Sequence, residues 1–347
     1  MIFLVYIAVS GSNLHLIYAV PMKILITGVA GFIGSHLLEK LLELNFDIVG
    51  LDNLSVGKLS NIEKYMDYNK FSFHQGDIRN LQLINELTKE IDAIIHLAAL
   101  ADIVPSVENP EDYFTTNVIG TFNVVNSARL NSVKRIIYTA SSSCYGIPNQ
   151  YPTPENAAID LRYPYALTKY LGEQIILHWC KVFELSGISL RLFNVYGLRA
   201  RTSGTYGAVF GVFLAQKKAG KPLTIVGDGS QMRDFTNVKD VTEAIYRALI
   251  SNKQGVFNVG TGKPVEVNKI AELIGGNKVY IRKRPGEPDM TYADVSKIAD
   301  EIGWHSQVTI EEGVREMIVN IDDWGGSPIW DIESIDKATE KWFRYIK

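Results

Sequence analysis

Lys23-Ile24-Leu25-Ile26, followed by Thr27-Gly28-Val29-Ala30-Gly31-Phe32-Ile33-Gly34, reads as a short apolar strand that turns through glycines into a helix. Glycine at such a turn permits positive φ and close backbone approach, and the first amides of the following helix are free to hold an anion. The stretch therefore predicts a dinucleotide pyrophosphate site formed by Gly28, Gly31, Phe32, Ile33 and Gly34. The spacing is G-x-x-G-x-x-G, and a corner that needs glycine only for packing is the alternative.

Working outward, a helix over residues 35–44 and an apolar strand over 47–51 lead to Asp52, 24 residues after Gly28. A carboxylate there accepts hydrogen bonds from an adenosine ribose and repels a 2′-phosphate, so it predicts NAD rather than NADP. Lys58 lies close enough to weaken that preference, and Asp52 with Asn53 alternatively opens a turn at a solvated strand end.

Further strands are expected at 71–73, 93–97, 135–139 and 189–193, with helices at 81–90, 115–130 and 165–183. This alternation predicts an α/β fold, a Rossmann-type doubly wound parallel sheet. After Asn194 the pattern loosens into a Gly/Ser/Thr-rich run at 199–207, a helix at 209–219, the turn Gly227-Asp228-Gly229-Ser230 and mixed segments. The expected division is a cofactor domain over 22–195 with a returning segment near 236–260, and a smaller, mixed α/β substrate lobe over most of 196–347.

The 347 residues carry a net charge of −3 and no basic run, which argues against nucleic acid. Cys144 and Cys180 are too few for a disulfide framework and point to a reducing, cytoplasmic compartment. The six His show no metal-ligand spacing, so no metal is expected, and His96 at a strand end reads as a packed or hydrogen-bonded residue. Residues 1–21 are apolar but interrupted by Ser10-Gly11-Ser12-Asn13 and lack a cationic leader. They read as a dispensable extension before a start at Met22, with a membrane anchor as the alternative.

Ser141-Ser142-Ser143-Cys144-Tyr145-Gly146 lies at the carboxyl end of the 135–139 strand, where parallel sheets bind ligands. Tyr165 follows 24 residues after Ser141 and shares a helix face with Lys169 four residues on. An ammonium on that face is expected to stabilise the phenolate and lower its pKa, the arrangement a general acid/base needs. As a bare pattern, the pair also suits an exposed face of an amphipathic helix.

These motifs carry a resemblance that covers the chain from Met22 onward. With the glycine turn, Tyr165 and Lys169 come Gly76-Asp77-Ile78, His96-Leu97-Ala98-Ala99, Asn117 with Gly120-Thr121, Arg191-Leu192-Phe193-Asn194-Val195-Tyr196-Gly197, Arg233-Asp234-Phe235, Asn258-Val259-Gly260, Arg284-Pro285-Gly286-Glu287 and Tyr292-Ala293-Asp294. The chain resembles the extended short-chain dehydrogenase/reductases, in their nucleotide-sugar epimerase/dehydratase branch. The resemblance implies NAD held by the glycine turn, Asp52, Asn53, Asp77, Ile78, Ala98, Asn117, Tyr165 and Lys169, and a homodimer with no membrane association. It further implies that Asn194, Arg233 and Arg284 bind a substrate diphosphate, Glu287 a nucleotide ribose, and Ser141 with Ser142 the sugar.

Related dehydratases carry Thr-Asp-Glu, and decarboxylases Thr-Ser-Glu, where this chain has Ser141-Ser142-Ser143. Serine hydroxyls bind sugar hydroxyls but carry no proton near neutral pH, so the pattern resembles the 4-epimerases. The implied reaction moves the O4 proton to Tyr165 and hydride from C4 to NAD, giving a 4-keto sugar that turns over and is reduced on its other face. A nucleotide-sugar dehydrogenase, keto-sugar reductase or dehydratase is the alternative, and a cofactor-sensing protein a more distant one. UDP-hexoses are implied, with Thr291, a small residue at the position that gates 2-acetamido sugars in this family, admitting UDP-N-acetylhexosamines.

Four features depart from the pattern. Residues 207–213 differ from the sequence expected beside the base, leaving uridine to the resemblance alone. Asp102 stands where a neutral residue is expected and either alters substrate choice or is solvated. Cys144 reads as a buried hydrophobe, an acid/base role being the alternative. The aromatic run 324–347 is expected as a helix packed on the substrate lobe, or else as a partner site.

Overall fold

The computed structural model describes residues 22–200 and 209–346. Residues 1–21 and the greater part of the Gly/Ser/Thr-rich run at 199–207 lie outside the described residues.

In chain order the first half runs β1 (Lys23–Thr27), α1 (Phe32–Glu43), β2 (Asp47–Asp52), β3 (Phe71–Gln75), α2 (Leu81–Leu87), β4 (Ala93–His96), α3 (Ile103–Glu108), α4 (Pro110–Phe114), α5 (Thr121–Leu130), β5 (Arg135–Ser141), α6 (Pro164–Val182) and β6 (Ser186–Leu192). The second half continues with β7 (Val195–Tyr196), α7 (Val209–Lys218), β8 (Leu223–Val226), β9 (Met232–Arg233), β10 (Thr236–Asn237), α8 (Val238–Ile250), β11 (Gly255–Val259), β12 (Val265–Glu266), α9 (Val267–Ile274), β13 (Lys278–Ile281), β14 (Met290–Thr291), α10 (Ser296–Ile302), α11 (Ile310–Val319) and α12 (Ile332–Tyr345).

Seven strands form one parallel sheet in the order β11-β6-β5-β4-β1-β2-β3. Its strands are apolar runs because both faces are covered: Ile24, Ile26, Ile95 and Ile188 pack on one side under α1 and α8, and Leu25, Ile94 and Ile136 on the other under α5 and α6. The expected doubly wound sheet is therefore present, and β11 joins it after a long excursion, beside β6. Strand order reverses between β1 and β4, which opens a crevice at their carboxyl ends.

The helix expected over 115–130 differs in detail. It begins at Pro110, passes through a π-helical turn at Thr115–Gly120 and only then becomes α5. A widened turn of this kind re-aims side chains locally, and it carries Asn117.

The second lobe buries its own core of Phe210, Phe213, Leu214, Ile225, Ile270, Val314 and Trp324. Its pairings are short: β13 with β8, and a three-stranded patch β12-β9-β14. Helix α12 starts on this lobe, where Ile335 is buried, but ends against α3, where Trp342 packs with Val104 and Ile346. The expectation of packing on the substrate lobe thus holds only for its first turns, because the apolar residues near its end meet α3. No described helix is long and apolar enough to cross a membrane.

Candidate active site

The glycine turn lies at the strand reversal. Gly28 has φ +78°, and a Cβ there would lie 2.8 Å from the Ala98 amide nitrogen, so the turn from β1 passes directly under the β4 exit. A Cβ on Gly34 would collide with the Gly28 carbonyl oxygen, which explains the third glycine as a close-packing requirement. No side chain caps α1 at Gly31, leaving the amides of its first turn, at Phe32 and Ile33, to a ligand. An uncapped helix start in a crevice too tight for side chains suits a pyrophosphate.

Below it, the Thr27 hydroxyl bonds His96 Nδ1 at 2.6 Å, and Thr121 meets Nε2 at 2.9 Å. Burial holds the His96 pKa down to about 3, with Lys169 adding to the effect, so the ring is a neutral spacer between β1, β4 and α5.

The residues expected around adenosine are more engaged with protein than the sequence implies. Asp52 accepts from the amides of Ala30 (3.0 Å) and Leu54 (2.8 Å); burial raises its pKa and these bonds oppose the rise. It therefore fastens the glycine turn. Asp77 is held low, at about 2, chiefly by Arg79, whose guanidinium lies 2.7 Å away, and Asn53 also donates to it. Ile78 is buried against Gly120. Asn117, on the π-turn, bonds both the amide and the carbonyl of Leu100 and also the Thr168 hydroxyl, bracing the β4 exit loop against α6.

At the carboxyl end of β5, Ser141 caps a 3-10 turn by accepting from the Ser143 amide, and its hydroxyl lies close enough to the Tyr165 phenol to act on it. Pro164 at the first helical position starts α6 and places Tyr165 in its first turn. Burial pushes the Tyr165 pKa up to about 12 against the opposing effect of Ser141, and the Asp102 carboxylate raises it further. Burial lowers Lys169 to about 7, partly offset by Glu173 one turn further along α6. The Lys169 ammonium lies 4.3 Å from the centroid of the Tyr138 ring. The expectation that Lys169 lowers the Tyr165 pKa is corrected: the two share a helix face, but desolvation of the phenol wins and the ammonium faces Tyr138. Cys144 is buried and its thiol is pushed up to about 12 chiefly by burial, which favours the hydrophobe reading over an acid/base.

Across the crevice, β9 and β14 pair with Thr291 in register with Arg233. Burial lowers the Arg233 pKa, while Glu287 and Arg284 act on it from nearby. Arg284 and Glu287 form an ion pair at 2.8 Å, so the residues assigned separately to diphosphate and ribose are partners. Glu287 and Asp289 both act on Arg233, and the two guanidiniums brought together here are the planar donors that suit a diphosphate. Asn194 is exposed between β6 and β7, and Ser142 is half-buried beside Ser141.

Three aromatic residues were missed. Tyr163 lies parallel to Tyr165 at 6.5 Å, Tyr113 meets Tyr165 edge-on at 6.4 Å, and Trp342 lies 5.9 Å from Tyr163. Only the aromatic content of the C-terminal run signalled any of this.

Comparison with known proteins agrees with this geometry. The NAD dependent epimerase/dehydratase family matches residues 24–260. A UDP-glucose 4-epimerase of Mycolicibacterium smegmatis is 34% identical over 306 residues, 86% of this chain and 97% of that protein. The structure of a Bacillus cereus UDP-glucuronic acid 4-epimerase, in complex with UDP-glucuronic acid and NAD, superposes with a TM-score of 0.81 at 31% identity, covering 87% of this chain and 99% of that one. A UDP-N-acetylglucosamine 4-epimerase of Methanobrevibacter ruminantium gives a TM-score of 0.82 at 29% identity over 86% of this chain and 99% of its own. With a matched region that begins in β1 and ends just after β11, this chain belongs to the NAD-dependent epimerase/dehydratase family, and NAD is its cofactor.

Proposed function

We propose that the chain inverts C4 of a UDP-hexose through a 4-keto sugar. The observation that carries this reading is Ser141 placed close enough to the Tyr165 phenol to lower its pKa at the end of β5, with serines rather than acidic residues at 142 and 143. The three relatives above differ in sugar but are all named as 4-epimerases of UDP-sugars.

NAD, when bound, supplies the acceptor and donor of hydride at C4. Tyr165 takes the O4 proton as its phenolate, a form that positive charge from a bound NAD ring beside it would favour, and returns it as the phenol. Ser141 orients O4 through the same hydroxyl that acts on the phenol, and Lys169 holds the nicotinamide ribose. Arg233, Arg284 and Asn194 retain the diphosphate while the hexose turns to present its other face, so binding energy sits on the part of the substrate that does not react. With no acidic side chain at 142 or 143, elimination of water lacks its extra acid/base, which favours epimerisation over dehydration.

Thr291 is half-buried beside Arg233 and its hydroxyl has no hydrogen-bond partner. A residue of this size leaves room at C2, supporting UDP-N-acetylglucosamine and UDP-N-acetylgalactosamine as substrates beside UDP-glucose and UDP-galactose. The negative charge of Asp102 acting at Tyr165 disfavours a uronic acid there by like-charge repulsion. Incubating the purified protein with these nucleotide sugars and UDP-glucuronate, without added cofactor, and following C4 configuration by NMR tests the reading. Inversion at C4 is the expected result; net accumulation of NADH without inversion overturns it in favour of a dehydrogenase.

A further inference from the structure

The last described helix reaches both halves of the site. Helix α12 is the last described element of the chain. Near its end, Trp342 is 1% exposed. Its indole N–H donates to the Pro285 carbonyl at 2.8 Å, inside the Arg284–Glu287 turn, and Arg284 lies 6.0 Å over its ring. The next residue, Phe343, packs under the Arg282 guanidinium at 3.5 Å. The other side of Trp342 meets Tyr163, which stacks parallel on Tyr165.

We propose that Trp342 is a positioning residue that fixes the diphosphate-binding turn at a set distance from Tyr165, acting through Pro285 on one side and Tyr163 on the other. The inference rests on the proposed function, which makes Tyr165 the proton carrier and Arg284 a diphosphate ligand. A substrate tethered by its diphosphate has to present C4 to Tyr165 from either face. The separation between clamp and phenol therefore decides whether both faces are reached. Burial raises the Tyr163 pKa, and both Tyr165 and Glu287 raise it further, in keeping with a ring that lies near both. The helix is anchored at its other end by Ile335 in the substrate-lobe core, so the indole is held by more than its own contacts.

Two variants separate the two contacts. Trp342→Phe keeps a ring against Tyr163 and removes the donor to Pro285. The KM for UDP-hexose and the calorimetric Kd for UDP are expected to rise about 3- to 10-fold, the size of one hydrogen bond, with kcat nearly unchanged. Trp342→Leu removes both contacts and is expected to lower kcat as well, by roughly 10- to 100-fold, the cost of a small misplacement. Trp324→Phe, in the same lobe but away from Tyr163 and Pro285, is the comparison, expected to lower Tm alone. If both Trp342 variants lower Tm but keep wild-type kcat, KM and UDP Kd per NAD-loaded molecule, the role is merely structural and the inference is overturned. Should Trp342→Leu not fold, the KM and UDP Kd of Trp342→Phe decide. A wild-type protein that neither binds UDP nor converts any UDP-hexose overturns the proposed function, and this inference with it.

Discussion

The cofactor turn and the proposed substrate clamp are built from different material. The turn is mostly backbone: parallel strands bring Gly28 under Ala98, Gly34 against the Gly28 carbonyl and the uncapped start of α1 to the point of strand reversal. The clamp is mostly side chains, with Arg233, Arg284, Glu287 and Thr291 carried on two-residue strands and a turn, and braced from α12. A backbone site is insensitive to most side-chain changes except those that put a Cβ in its way. A side-chain site is open to retuning residue by residue, and this is where substrate choice among relatives with a common cofactor fold is expected to reside.

The comparison breaks most sharply at the residue between the two halves. Tyr165→Phe preserves the ring contacts with Tyr113 and Tyr163 but removes the proton carrier, so turnover should fall roughly 10²- to 10⁴-fold while NAD content and UDP affinity stay at wild type. Steady-state kinetics with the cofactor content of denatured protein measures both. A variant that keeps near-normal turnover removes Tyr165 from the mechanism.

On the clamp, Arg233→Ala should raise the KM for UDP-hexose by roughly 10- to 150-fold, the range for losing hydrogen bonds to a charged group, without releasing NAD. Loss of NAD from this variant would show that the two regions are not separable. Thr291→Tyr fills the space beside C2 and should reduce kcat/KM for UDP-N-acetylhexosamines about 10- to 100-fold relative to UDP-hexoses. Equal losses on both substrate types remove Thr291 as the gate.

On the turn, Gly34→Ala puts a Cβ onto the Gly28 carbonyl and should cost about 1–3 kcal/mol of stability together with NAD retention, leaving UDP binding in place. The smallest expected effect is at Asp77. Its pKa of about 2 lies below the 3.8 of a free aspartate, so the Arg79 pair stabilises the fold above about pH 4, and that contribution is lost as pH falls towards 2. Arg79 is half-exposed, which limits the effect to roughly 0.5–1 kcal/mol. Acid unfolding of Arg79→Ala should therefore converge with wild type only as pH falls to about 2, whereas a constant difference at all pH values would exclude this linkage.

Local pattern made the cofactor half legible. The glycine turn, the alternating strands and the pairing of Ser141 with Tyr165 follow from spacing and from the rule that parallel sheets bind ligands at carboxyl ends. Spacing alone misled where rotamer and environment compete. Tyr165 and Lys169 lie one turn apart, but burial raises the phenol and the ammonium faces Tyr138. Asn117 sits on a π-turn that no periodicity rule anticipates, and its amide bonds Leu100 and Thr168.

By itself the amino-acid sequence determined the sheet, the place of its crevice and the residue types available for chemistry, because helix and strand periods and glycine conformations act over a few residues. The tertiary structure alone decided which of those residues meet. Asp102 acts on Tyr165, Thr291 comes into register beside Arg233, and Trp342 reaches from the last described helix to Pro285 and Tyr163. These contacts depend on long-range packing and on which charges are desolvated together, and no local spacing encodes either.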